Sequence, residues 1–199
     1  MTRWVVASAN PHKVAELARL FAGLEVTLVP RPAHVPLPEE TGRTFLANAR
    51  LKARAVAEAT GEVALADDSG IEVDALGGDP GVLSARYAGE GATDARNNAK
   101  LLAELQGIHG PNRRGRFRCV LALVAPGGRE VTAEGRIEGF LLEAARGAGG
   151  FGYDPLFQPE GDTRSFAEYA PHEKDAVSHR GRAAQKLREA LTRLGRTVP

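Results

Sequence analysis

The sequence predicts a mixed α/β sheet with helices on its faces. Strand-like and helix-like segments alternate through the first half, a long hairpin pattern dominates the middle, and an amphipathic helical stretch follows near the end. Residues 3–7 (RWVVA) read as a short buried strand. PHKVAELARLFAGL then has Val14, Leu17, Ala18 and Phe21 at helical spacing, with Pro11 suited to a first turn. EVTLV at 25–29 suggests a second strand, whereas the proline-bearing stretch 30–38 can be neither helix nor central strand and is expected as loop.

From Thr44, FLANARLKARAVAEATG is rich in alanine and straight-chain residues and ends at Gly61, which suits a helix closed by a glycine cap. EVALADDSGIEVDAL breaks its apolar residues with Asp67, Asp68, Ser69 and Gly70, which predicts strand, sharp acidic turn, strand. Glycines crowd residues 77–91, and Thr93 can cap a helix running to about Gln106. RGRFRCVLALVA and REVTAEGRIEGFL, joined through a Gly-Gly pair, read as a long β-hairpin, and Arg182 to Leu194 as an amphipathic helix. No repeat, low-complexity tract or linker interrupts the pattern. One domain over residues 1–199 is expected, with two lobes around a cleft.

A chain of 199 residues can bury roughly 70% of the surface its unfolded form exposes. Its 43% hydrophobic and 26% charged residues are those of an ordinary soluble globular protein. The net charge of +1 removes any general argument for nucleic acid or an acidic membrane surface. Cys119 is the single cysteine and lies in the apolar run CVLALVA, so a buried core thiol and a reducing cytoplasm are expected. The apolar run at Trp4–Val6 is too short for a signal peptide, and nowhere do about 18 apolar residues occur together.

Five groups of residues suggest chemistry. Ser8, Asn10 and Lys13 stand where the first strand hands over to the first helix, a place where backbone N–H groups, a hydroxyl, an amide and an ammonium can converge on an anion. An N-cap beside a solvated lysine is the alternative. Only five lysines stand against twenty-one arginines, which favours a specific job for each as a compact point charge. Glu39 and Glu40 precede Asn48 and Lys52, four residues apart and so on one helix face. Asp67 and Asp68 at the end of an apolar strand are costly to bury without a compensating cation, and magnesium favours carboxylate oxygens and phosphates.

The fourth group is GGFGYDP at 149–155, in which Phe151 or Tyr153 could stack on a base while Asp154 accepts a hydrogen bond from a ring N–H. Residues 147–152 formally match GxGxxG, but no apolar strand precedes them and Pro155 follows where a dinucleotide fold needs a helix. The fifth is Glu173, Lys174, Ser178, His179 and Arg180, in which Lys174 could reach phosphates and His179 with Arg180 could donate to a purine carbonyl. Neither Ser69 nor Ser178 lies in a GxSxG elbow, the His172-Glu173 pair lacks the second histidine of a zinc motif, and no GxxxxGK[ST] occurs.

Taken together, SANPHK, EETGRTFLANARLKA, ADDSGIEVDALGGDPGVLSARYAG, GGFGYDPLF and EKDAVSHRG resemble the inosine triphosphate pyrophosphatase family, the non-canonical purine NTP pyrophosphatases, in order over nearly the whole chain. The resemblance implies an elongated mixed-sheet fold with a deep cleft between two lobes, commonly a homodimer. It also implies hydrolysis of ITP, dITP and XTP to the monophosphate and pyrophosphate. By position, Ser8, Asn10, Lys13, Lys52 and Lys174 resemble the family's triphosphate-binding groups, and Glu40 and Asp68 its magnesium-site acids. Asp68 also resembles the general base, with Ser69 a substrate contact beside it. Phe151, Tyr153, Asp154, His179 and Arg180 resemble the base-recognition set. Ser8 stands where many members carry threonine, and Ala47 where relatives often carry glutamate.

Hypoxanthine and xanthine present a 6-keto acceptor and an N1–H donor, whereas adenine reverses both and would leave buried site groups unpaired. Guanine shares both groups, so its rejection needs a feature at the 2-position that these motifs do not reveal. Two rivals follow from the same residues: a pyrophosphatase of related fold acting on modified pyrimidine nucleotides, and a non-catalytic nucleotide-binding module. The acidic residues speak against the second, and the GGFGYD and SHR blocks favour a purine over the first.

Overall fold

The computed structural model describes residues 2–194. The chain forms two compact units, one built from Met1–Asp68, Cys119–Gly135 and Arg180–Pro199, the other from Ser69–Arg118 and Arg136–His179. The strands are β1 (Thr2–Val6), β2 (Val26–Pro30), β3 (Val63–Val73), β4 (Arg114–Val124), β5 (Glu130–Leu141) and β6 (Phe157–Pro159), and they form one sheet in the order β2-β1-β3-β4-β5-β6. The helices are α1 (Pro11–Leu20), α2 (Phe45–Thr60), α3 (Asp94–Glu104), α4 (Pro171–Val177) and α5 (His179–Arg193). Among the described residues no helix is long and apolar enough to cross a membrane.

In the first unit β1 pairs in parallel with both β2 and β3, which is why Trp4, Val5 and Val6 form an unbroken apolar run rather than an alternating one. Edge position explains how β2 can end on Pro30, since a proline removes one ladder hydrogen bond. The expected loop therefore begins one residue later. Asn10 caps α1 by accepting from the N–H groups of His12 and Lys13. Thr44 caps α2, and Gly61 closes it in the left-handed conformation at φ 67°. The core gathers Trp4, Leu17, Phe21, Leu65, Leu121 and Leu187, with Trp4 edge-on to Phe21 at 5.7 Å.

The second unit has its own core, in which Phe117, Phe157 and Phe166 pack with Ile71, Leu101 and Ile137. Thr93 caps α3, as expected from the sequence. β5 and β6 run antiparallel, Leu141 opposite Phe157. The long hairpin is present as β4 and β5, turned through Ala125–Arg129 by a bond from the Ala125 N–H to the Arg129 carbonyl at 2.9 Å.

Two expectations change. β3 runs through Asp67-Asp68-Ser69-Gly70 without turning. An acidic turn needs carboxylates bound to nearby backbone N–H groups, and here both bind cations from distant segments instead. Gly70 keeps the strand intact, because a Cβ there would strike the Ser84 hydroxyl and the Gly81 carbonyl. The last helix begins at His179 rather than Arg182, and the short helix α4 precedes it, started by Pro171 at its first turn and by Glu173 reaching back to the Ala170 N–H at 2.8 Å.

Candidate active site

Successive side chains of a strand point to opposite faces, so Asp67 and Asp68, neighbours in β3, enter different surroundings. On one face, α2 supplies Lys52, whose ammonium lies 2.8 Å from Asp68 Oδ1 and 2.6 Å from Glu40 Oε1. Lys52 is 5% and Asp68 5% exposed, so this is a cation held almost out of water between two acids. Burial and the nearby Glu40 charge raise the Asp68 carboxyl above its ordinary value against the pull of Lys52, and the two acids raise the Lys52 ammonium against its burial. Asp68 Oδ2 is buried with no hydrogen-bond partner among the described residues.

Glu40 reaches Lys52 from an irregular segment tied to α2 by Asn48. The Asn48 Oδ1 accepts the Gly42 N–H at 2.7 Å, and a Cβ on Gly42 would sit 2.5 Å from that oxygen. Asn48 and Lys52 thus share a face as their spacing predicts, but the amide holds the acidic segment rather than pointing into open space.

On the other face Asp67 is 1% exposed and accepts from three donors. Lys13 Nζ lies at 2.7 Å, Arg180 Nε at 2.8 Å and the Cys119 thiol at 3.0 Å. Burial opposes its charge, yet Arg180 and Lys13 hold the carboxyl well below the usual range. The second arm of Arg180 binds Glu16 of α1, so the guanidinium predicted to contact the base is occupied by two buried acids. Burial and Asp67 push the Cys119 thiol well up, consistent with an inert core residue that doubles as a weak donor. Ser8 accepts the Asn10 N–H at 3.2 Å, and Asn10 spends its carbonyl oxygen on the α1 cap.

The second unit holds the remaining predicted residues. Asp154 is 2% exposed and accepts from Lys174 Nζ at 2.5 Å and from the Phe151 N–H at 2.8 Å. The Lys174 ammonium also lies 4.8 Å from the centre of the Phe151 ring. Tyr153 is buried in the core, and its hydroxyl donates to the Ser84 carbonyl at 2.8 Å. Of the two aromatics offered as base-stacking groups, Phe151 is the half-buried one. His179, 3% exposed, stacks on Phe117 with ring centres 4.7 Å apart and planes 10° from parallel. Ser69 is half-buried in β3.

The structure therefore groups Lys52, Glu40 and Asp68 on one face of β3, Lys13, Asp67, Arg180 and Glu16 on the other, and Phe151, Tyr153, Asp154 and Lys174 in the second unit. Glu16 was not picked out from sequence. Its signal was a charged residue on the apolar side of α1, one position before Leu17 and two after Val14, where a lone acid needs a buried cation.

The Ham1 family profile matches residues 4–190. A dITP/XTP pyrophosphatase of Desulforamulus reducens is 51% identical over 192 residues, covering 96% of each chain. One of Geobacter sulfurreducens is 49% identical over 193 residues, covering 96% of this chain and 97% of its own. Among solved structures, a HAM1 protein from Coxiella burnetii is similar at a TM-score of 0.88 and 43% identity, covering 97% of this chain and 100% of that one.

Proposed function

The chain belongs to the Ham1 family, and from that premise we propose that it hydrolyses non-canonical purine nucleoside triphosphates, ITP, dITP and XTP, to the monophosphate and pyrophosphate. The observation that carries the chemistry is the Asp68–Lys52–Glu40 group with its buried, unpartnered Asp68 oxygen. Two carboxylates share one ammonium, which leaves negative charge for a hard cation. Among the described residues no group of three or more acids, histidines or cysteines could hold a metal ion, so the donors offered are the two carboxylates alone. That donor set fits Mg2+, which takes one or two carboxylates and completes its shell with water and substrate phosphates. Glu40 and Asp68 would hold the ion, whose chemistry is to neutralise charge on the leaving pyrophosphate.

Within this proposal Asp68 aligns and deprotonates a water that attacks the α-phosphorus in line, and the bond from that phosphorus to the bridging oxygen of the pyrophosphate breaks. Lys13 and Lys52, with Ser8 and Asn10, serve the phosphates from the first unit, while Lys174 and Ser69 belong to the second, where Lys174 holds Asp154. Asp67 binds Lys13, Arg180 and Cys119 and acts as the anchor of Lys13 and Arg180. Phe151 stacks on the purine and Asp154 accepts from its N1–H, with Tyr153 and His179 shaping that pocket. Arg180 contributes through Asp67 and Glu16. A homodimer and a cytoplasmic setting complete the reading.

Competition among ITP, XTP, GTP and ATP at equal concentration tests the specificity. ITP and XTP are turned over in preference to ATP, because adenine reverses the donor and acceptor that the site recognises. Comparable ATP turnover defeats the proposed pattern.

A further inference from the structure

We propose that one face of α3 sets base discrimination, with Asp94 and Asn98 as positioning residues that fix the conformation of Gly152 in the aromatic loop; this rests on the assignment of that loop to the purine. The Gly152 N–H donates to Asp94 Oδ2 at 2.6 Å, and the Gly152 carbonyl accepts from Asn98 Nδ2 at 2.9 Å. The first group belongs to the peptide shared with Phe151 and the second to the peptide shared with Tyr153. Both peptide planes flanking one glycine are therefore held from a single helix, at separations of 58 and 54 residues.

Gly152 sits at φ 61°, in the left-handed region where glycine has its greatest freedom. Fixing the planes on both sides removes that freedom, and with it sets the direction of Phe151 relative to Tyr153 and Asp154. Asn97 supports the same loop from the same helix face, since residues 94, 97 and 98 are related by steps of three and four. Its Nδ2 donates to the Ser84 carbonyl at 3.3 Å, the acceptor that also takes the Tyr153 hydroxyl at 2.8 Å. The bond from the Gly152 N–H to Asp94 lies at an exposed position. Water could replace it there at little loss in stability, so what the pair chiefly supplies is loop geometry.

The test compares Asp94→Ala and Asn98→Ala with the unaltered enzyme, measuring the KM for ITP and the binding of two products by calorimetry: IMP, which carries a base, and pyrophosphate, which does not. IMP binding and the KM for ITP worsen together by about tenfold, while pyrophosphate affinity stays within about twofold. Asp94→Asn, which keeps an acceptor for the Gly152 N–H, recovers most of the loss. Should Asn98→Ala lower the melting temperature, Asn98→Asp removes the donor at constant side-chain volume and gives the same readout. Equal weakening of IMP and pyrophosphate, or unchanged IMP binding in both alanine variants of an enzyme that hydrolyses ITP, overturns the proposal. An unaltered enzyme that releases no pyrophosphate from ITP refutes the functional assignment instead.

Discussion

Asp67 and Asp68 are identical in chemistry and adjacent in the chain, and their surroundings give them opposite properties. Asp68 keeps an oxygen with no hydrogen-bond partner among the described residues and a raised carboxyl, while Asp67 binds Lys13, Arg180 and Cys119. Replacing Asp68 with asparagine keeps the shape and removes the basic oxygen, so steady-state turnover of ITP falls by about a hundredfold or more, the usual range for a general base. Unchanged turnover refutes that role. Replacing Asp67 with alanine instead leaves the guanidinium of Arg180 and the ammonium of Lys13 beside a void. The expected loss of stability is about 3–5 kcal/mol, read from the urea midpoint at constant m-value, and a loss below about 1 kcal/mol would contradict the anchoring role. Residue types alone mark the two acids without separating them, and only the resemblance singles out Asp68, because the physical separation comes from which cations meet each face of β3. Arg180 shows the same limit: its motif pointed to a base, and its geometry points to Asp67 and Glu16.

At the level of elements, caps and periodicity were legible. Thr44, Gly61, Thr93 and the run from Arg114 to Leu141 carry local signals that the structure follows. Elements fixed by long-range contacts were not: β3 was read as broken because a DDSG run signals a turn wherever distant cations are unknown. The segment from Asp162 to Glu173 carries no periodic signal, being built on acids that bind backbone and nearby side chains. Asp162 accepts from the Tyr169 hydroxyl at 2.6 Å and the Arg164 N–H at 2.8 Å, Glu168 from the Ser165 N–H at 2.6 Å, and Glu173 from the Ala170 N–H at 2.8 Å. These bonds hold all three carboxyls below their ordinary values. A carboxyl lowered in the folded state contributes stability that is complete above the unfolded value near 4 and is lost as pH falls through the folded one. Hydrogen exchange, corrected for intrinsic rates, should therefore show residues 162–173 losing protection relative to α2 between about pH 5 and pH 3. Protection that rises on acidification would contradict this account.

For the whole molecule, the boundaries of the two units fall inside two of the five motifs, between Asp68 and Ser69 and between His179 and Arg180. A reader of the sequence sees each motif as one site, whereas the fold deals its residues to two units. The first holds the acid and ammonium groups suited to phosphates and a cation. The second holds the Phe151 loop with Asp154 and Lys174. Family membership was legible because five motifs keep their order along the chain, and the profile match over residues 4–190 agrees with that reading. The proposed chemistry sends water to the α-phosphorus. Incubating the protein with ITP and Mg2+ and identifying both products decides it. IMP and pyrophosphate form in equal amounts if attack is at that phosphorus, and orthophosphate accompanied by IDP rules it out.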